Sequence, residues 1–179
     1  MSAIIGGIFV TAMMAIVMPL YFMESLRSGV SWSQVIDQKI LRIENRIQTW
    51  VILDSADVLP QGGDYPTVIK AKLNNRGSTA IGRFDEMHLV AMYTNSSGHR
   101  VINRLVHVEG SASMTNEWMV SNIIPDTLEP GVLNPGEQAT LTLVLDSNVM
   151  QGTYGTLHLA TSNGVTTSAV FAGPDTSGY

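Results

Sequence analysis

The first 23 residues, MSAIIGGIFVTAMMAIVMPLYFM, contain no formally charged side chain, and the run ends at Glu24. As a helix it would be about 35 Å long at roughly 1.5 Å per residue, enough to cross a bilayer core of about 30 Å. A removable secretory signal opens on basic residues and closes on a small-residue cleavage site. No Lys or Arg precedes Glu24, so that reading does not fit. A segment this apolar needs either lipid or other helices around it.

Its side chains favour contact with protein. Ala3, Gly7, Thr11 and Ala15 fall four apart, which lines small residues along one side of a helix and lets another helix approach closely. Met13, Met14, Met18 and Met23 supply flexible filler for surfaces that are not identical. Pro19 removes one helical hydrogen bond and predicts a kink near residues 15–19. A plain membrane anchor is the alternative use of the same run.

Past Glu24 the pattern becomes amphipathic. Trp32, Ile36, Ile40, Ile43, Ile47 and Trp50 recur at spacings of three and four, with Asp37, Lys39, Arg42, Glu44 and Arg46 on other sides. The spacing predicts one long helix over residues 1–53, hydrophobic over 1–23 and amphipathic over 24–53, with its greasy face against the domain that follows. All the basic residues near the span follow it, which by the positive-inside rule places the next domain in the cytoplasm. A short basic leader removed from before residue 1 would reverse that assignment.

Residues 54–65 read as a linker, with QGGDY as its hinge, and residues 66–172 as a head of period two. The runs TVIKAKLN, DEMHLVAMY, RVINRLVHV, EWMVSNII, EQATLTLVLD, YGTLHLATS and TTSAVF are short and β-rich, and turn-forming segments separate them. Seven such strands predict an antiparallel, immunoglobulin-like sandwich, with Ala139, Leu141, Leu143 and Leu145 facing inward and Thr140 and Thr142 outward. The expected fold class is therefore α+β: a long N-terminal hydrophobic α-helix followed by an antiparallel β-sandwich. Residues 173–179 are a polar, glycine-containing tail.

Chemistry is sparse. The net charge is −5 and the basic residues are scattered, so no positive stripe exists for nucleic acid. Cysteine is absent, which removes disulfides and thiolate chemistry. His88, His99, His107 and His158 lack metal-ligand spacing; His107 and Glu109 would share a strand face, and Asp85, Glu86 and His88 crowd one strand start, but such groups on half-exposed strands are usually solvated. DSNVMQG at 146–152 offers Asp146 and Asn148 as oxygen ligands but lacks the terminal acid of a calcium loop, and reads as a turn. No motif for a nucleophile, a phosphate loop or a zinc protease is present. The expectation is a non-enzyme with no catalytic, cofactor or metal site. Asn95-Ser96-Ser97 forms an N-glycosylation acceptor at a predicted hairpin tip.

An oily helix bearing IIGGIFVTAMMAIV, continued by an amphipathic helix and an all-β head, resembles the archaellins, the filament subunits of archaeal flagella within the type IV pilin-like superfamily. Type IV pilins usually carry Glu at the fifth mature position, where this chain has Ile5. The resemblance implies a precursor cut by a prepilin-type peptidase, leaving Met1 as the mature terminus, and passage through the membrane before assembly. It also implies a homo-polymer, with a second archaellin as a possible co-subunit, driven by membrane motor and platform proteins. An extracellular filament for swimming is the expected product. An adhesive pilin and a membrane-anchored, stator-like accessory protein with a surface-layer-binding sandwich are the alternatives, and a ligand-binding module is a third.

Overall fold

The computed structural model describes residues 35–59, 67–112 and 114–174. The small-residue stripe Ala3, Gly7, Thr11 and Ala15, the kink at Pro19 and the hinge at 61–65 lie outside the described residues. Two compact units divide the chain, Met1–Glu44 and Asn45–Tyr179. Among the described residues no helix is long and apolar enough to cross a membrane.

One α-helix is described, α1, over residues 35–48. It stops where Thr49 turns back, its backbone N–H (3.1 Å) and Oγ1 (2.7 Å) both donating to Asn45 O. The chain then enters a strand instead of continuing as helix to residue 53. The loop after β2 fixes this exit: Ser78 N donates to Gln48 O (2.9 Å) and Arg76 N to Trp50 O (2.7 Å). Gly77 sits between those bonds, where a Cβ would strike Gln48 O and Trp50 N. Gly77→Ala is expected to destabilise residues 45–179 by about 1–3 kcal/mol, because backbone cannot move aside as a flexible side chain can. A urea midpoint unchanged by that substitution would show that the helix exit tolerates a shift.

Eight strands follow: β1 (Val51–Leu59), β2 (Val68–Asn75), β3 (His88–Thr94), β4 (Arg100–His107), β5 (Glu117–Ile124), β6 (Gln138–Val144), β7 (Tyr154–Ala160) and β8 (Thr166–Ala172). The seven β-rich sequence runs supply β2 to β8. Segment 51–59 was expected to finish the helix and begin the linker, and is instead an edge strand paired antiparallel with β2 through a bulge at Leu53/Ser55.

The expected fold class needs correction. Among the described residues there is no long N-terminal helix, and the strands form one eight-stranded sheet in the order β1-β2-β6-β5-β4-β3-β7-β8, not two separate antiparallel layers. The sheet nearly closes on itself. Its end strands β1 and β8 meet through Leu53 N, which donates to Thr167 Oγ1 (3.0 Å). All neighbours are antiparallel except β4 and β5, which run parallel through only Val106↔Glu117 and His107↔Trp118. Alternation of apolar and polar residues specifies which face of a strand is buried, but not which strand lies beside it. That is why sequence patterning led to a sandwich.

Inward side chains pack into one core. Ala139, Leu141, Leu143 and Leu145 are fully buried, together with Trp118, Phe171, Ile69, Leu73, Leu157 and Leu159. The corners at Pro130-Gly131 and Pro135-Gly136 turn through positive φ at glycine, +82° and +84°, a region where a side chain would be strained. Beneath them, buried Asn75 holds the turns together, its Nδ2 donating to Thr79 O (2.8 Å) and Leu133 O (2.9 Å).

Candidate assembly surfaces

α1 carries its isoleucines on one side: Ile36, Ile40, Ile43 and Ile47 are 52%, 54%, 58% and 78% exposed. The spacing 4-3-4 keeps them within a narrow stripe at 3.6 residues per turn. Lys39, Arg42 and Arg46 fall on other sides of the helix, so the stripe is apolar along its length. All four isoleucines are solvent-exposed in the helix itself. An exposed apolar stripe with charged flanks is the form of a protein-contact surface.

A second feature arises at the parallel junction. The chain leaves β4 after His107, loops through residues 108–116 and returns beside it at Glu117, with Val106 N donating to Asn116 O (2.8 Å) and Val108 N to Trp118 O (2.9 Å). β5 then runs on past the point where β4 has ended. A cleft of about 440 Å³ opens at this step, lined in part by Phe84, Asp85, His107, Glu109, Ile123 and Asp126. Phe84 stacks on His107 with centroids 6.3 Å apart, and His107 meets Trp118 edge-on at 4.7 Å. The rim is acidic, with Asp85, Glu109 and Asp126, the last accepting from Gly131 N (3.1 Å). His107 and Glu109 do not share a strand face, since β4 ends at His107 and Glu109 lies in the loop beyond it, but both line the cleft.

The other suggested cluster is divided. Glu86 forms an ion pair with Arg83, His88 Nδ1 lies 3.1 Å from Arg104 NH2, and Asp85 alone lines the cleft. His158 opposes Val90 on the outer sheet face, and His99 lies in the β3–β4 turn. Among the described residues no group of three or more metal-ligating side chains converges. Asp146 and Asn148 separate, Asp146 bonding to Tyr93 and Asn148 Oδ1 lying 3.4 Å from Thr67 Oγ1.

Asn95 occupies the β3–β4 turn. Its Oδ1 accepts from Ser97 N (3.1 Å) and His99 N (2.9 Å), and its backbone bridges to Val149. This is an Asx-type turn, in which the side chain stands in for a backbone acceptor.

Sequence inspection missed the polar network at one end of the core. Tyr93 OH donates to Asp146 Oδ1 (2.6 Å) and lies 2.9 Å from Ser147 Oγ, while Asn103 Nδ2 donates to Asn116 Oδ1 (2.9 Å). Asn116 is a non-glycine residue at positive φ (64°), a conformation that Asn tolerates better than most residues. Burial first, then the bond to Asp146, pushes the Tyr93 phenol up to about 12. Burial pulls the Asp146 carboxyl upward, but hydrogen bonds from Tyr93, Asn103, Ser147 and Asn116 outweigh it and hold the group below its usual range. Five polar residues from four segments converge here, and nothing in their spacing marks the convergence.

The linkage follows in sign. A raised phenol contributes stability that is complete below pH 10 and is lost as pH rises toward about 12. The lowered Asp146 contributes stability above its unfolded value that is lost as pH falls through the folded one. Tyr93→Phe is expected to flatten the fall of the urea midpoint between about pH 10 and 12. An alkaline limb identical to that of the parent chain would show that Tyr93 does not govern it.

No protein-family model matches the sequence, and no curated protein matches it. Among solved structures the chain is similar to the archaeal flagellum of Methanospirillum hungatei strain JF1, with 15% identity, 99% of this chain and 92% of that one covered, and a TM-score of 0.55. It is also similar to the archaellum periplasmic stator protein FlaG from Sulfolobus acidocaldarius (20% identity, 69% and 99% covered, TM-score 0.48). A third is archaeal flagellin FlaB1 from Methanocaldococcus jannaschii (14% identity, 67% and 91% covered, TM-score 0.43). All three are archaellum components. At these identities the first likeness is one of fold, and the other two add no argument to it.

Proposed function

We propose that this chain is a structural subunit that polymerises through its N-terminal helical segment into an extracellular archaellum-type filament. The observation that carries the reading is the open isoleucine stripe of α1, preceded in the sequence by a run of 23 uncharged residues. The stripe is an apolar surface that a bundle of identical copies would cover, and the uncharged run would lengthen that bundle. The fold likeness to a flagellar filament over nearly the whole chain supports the same reading.

In such a bundle the stripe Ala3, Gly7, Thr11 and Ala15 permits close approach of neighbouring helices, and each large apolar side chain that leaves water contributes about 1.5–3 kcal/mol before entropy is counted. Leaving lipid for the bundle costs little, so the membrane acts as a reservoir for subunits. Contacts that do not close into a ring extend into a helical polymer. The heads coat the bundle, Asn95 presents a glycan where the source glycosylates such sites, and torque comes from partner proteins. The role is mechanical, not enzymatic.

Mass spectrometry of purified surface appendages, combined with negative-stain microscopy, tests this directly. The chain is expected as a principal fibre component, and a strain lacking it is expected not to swim. Fibres that form normally without it would reject the reading. Recovery of a few copies from the cell envelope would replace it with a stator-like accessory role, and loss of attachment with swimming intact would replace it with an adhesive pilin.

A further inference from the structure

The step between β4 and β5 leaves two strand edges open. Among the described residues, Arg100–Leu105 make no backbone bond beyond the β3 ladder and Met119–Ile124 none beyond the β6 ladder, the loop touching the second edge through Ala112 N and Met119 Sδ (3.1 Å). Each edge is six residues, or roughly 20 Å at about 3.3 Å per residue. Natural sheets blunt exposed edges with proline or with charges that point inward. Neither segment contains proline, and the inward-facing residues of β4 are Val101, Asn103 and Leu105; among the described residues the one blunting feature is a bulge between Val120 and Asn122 on β5.

The two edges are also unlike in charge. β4 presents Arg100, Ile102 and Arg104 on its outer face, with Ile102 64% exposed. The cleft beside the β5 edge presents Asp85, Glu109 and Asp126. We propose that the open β4 edge of one copy pairs antiparallel with the open β5 edge of the next, joining heads in a directional, repeating contact.

Geometry fixes the orientation. In its own molecule β4 lies parallel to β5, with its open edge turned toward β5. A neighbour's β4 that meets the β5 edge antiparallel must be turned over, which brings its outer side chains to the face where the cleft opens. Arg100 and Arg104 then approach the three carboxylates, and Ile102 approaches the apolar side of the cleft near Phe84 and Ile123. Turning over also sets the two heads on opposite sides of the shared sheet. The contact joins unlike surfaces, so each copy keeps one open edge and the array continues. Opposite charges select this pairing over edge pairing of like with like.

The inference rests on the reading that copies assemble, and adds which head surfaces meet. The full chain has no cysteine, so introduced thiols report cleanly. Ile102→Cys and Asn122→Cys are both surface changes. Within one copy the two positions stand about 30 Å apart, counted along the strands from the β4–β5 junction, beyond the reach of a short bismaleimide. In the assembled full-length protein, the double variant treated with that reagent is expected to give a ladder of dimers, trimers and higher species on denaturing gels. Each single variant is expected to stay monomeric. Arg100→Glu with Arg104→Glu in the same background is expected to lower the laddered fraction by about tenfold, the loss of roughly 1.4 kcal/mol.

Monomer alone from the double variant, or a dimer from either single variant, overturns the proposal. Filaments seen by microscopy without a ladder would reject the edge contact and leave the filament reading standing. A ladder without filaments would do the reverse.

Discussion

On the filament reading, Ile40→Glu combined with Ile43→Glu is expected to abolish fibre formation and leave residues 45–179 folded, the largest effect expected of any surface substitution in the chain. Both side chains are more than half exposed in the single copy, so the change costs the monomer little. In a bundle each carboxylate would have to leave water without a partner, at several kcal/mol per charge. The penalty repeats in every subunit, so a polymer amplifies what a monomer barely registers. Gly7→Glu is expected to act alike, by placing a charge in the small-residue stripe. Negative-stain counts of fibres, read beside the strand circular dichroism signal of the same protein, check both. Fibres at parental abundance carrying either change would end the bundling account.

Trp118→Ala is expected to have the largest effect on the fold, about 3–5 kcal/mol, which would consume much of the 5–15 kcal/mol typical of a single domain. Trp118 is fully buried on β5 and meets His107 edge-on at the parallel junction. Its buried indole Nε1 has no hydrogen-bond partner among the described residues, so Trp118→Phe is expected to remove a donor unpaired there along with volume. The lost desolvation penalty offsets part of the cavity, and Phe is expected to cost only about 1–2 kcal/mol. Urea unfolding of residues 45–179 separates the two. A Phe variant as unstable as the Ala variant would mean that the indole nitrogen is satisfied in solution.

The comparison of strands shows what patterning can reach. β6 was legible because Ala139, Leu141 and Leu143 alternate with Thr140 and Thr142, and a half-buried strand needs only that alternation. β1 was not, because VILDSADVL follows a helical series of isoleucines without a proline or glycine to break it. The break comes from residues far along the chain: the backbone N–H groups of Arg76 and Ser78 claim the carbonyls of Trp50 and Gln48. A tertiary contact of that kind overrides local preference.

The candidate surfaces divide in the same way. The isoleucine stripe could be read directly, since helical spacing alone places Ile36, Ile40, Ile43 and Ile47 together. Its exposure could not, because burial depends on what lies opposite. The cleft was half visible, in that His107 and Glu109 were noticed as neighbours. Asp85, Asp126 and Phe84 joined them only when the 108–116 loop returned β5 alongside β4. The Tyr93–Asp146 network left no trace in sequence, since its members lie 53 positions apart.

By itself the sequence determined the apolar start, the amphipathic stripe that follows it, the rhythm of seven strands and the absence of cysteine chemistry, all of which depend on residue type and short spacing. Only the tertiary structure decided where the helix ends, that the strands form one nearly closed sheet, and that β4 and β5 part after two residue pairs. Those outcomes depend on which backbone donors and acceptors from distant segments meet, and hydrogen-bond pairing between remote strands is set by the packed whole, not by any local pattern.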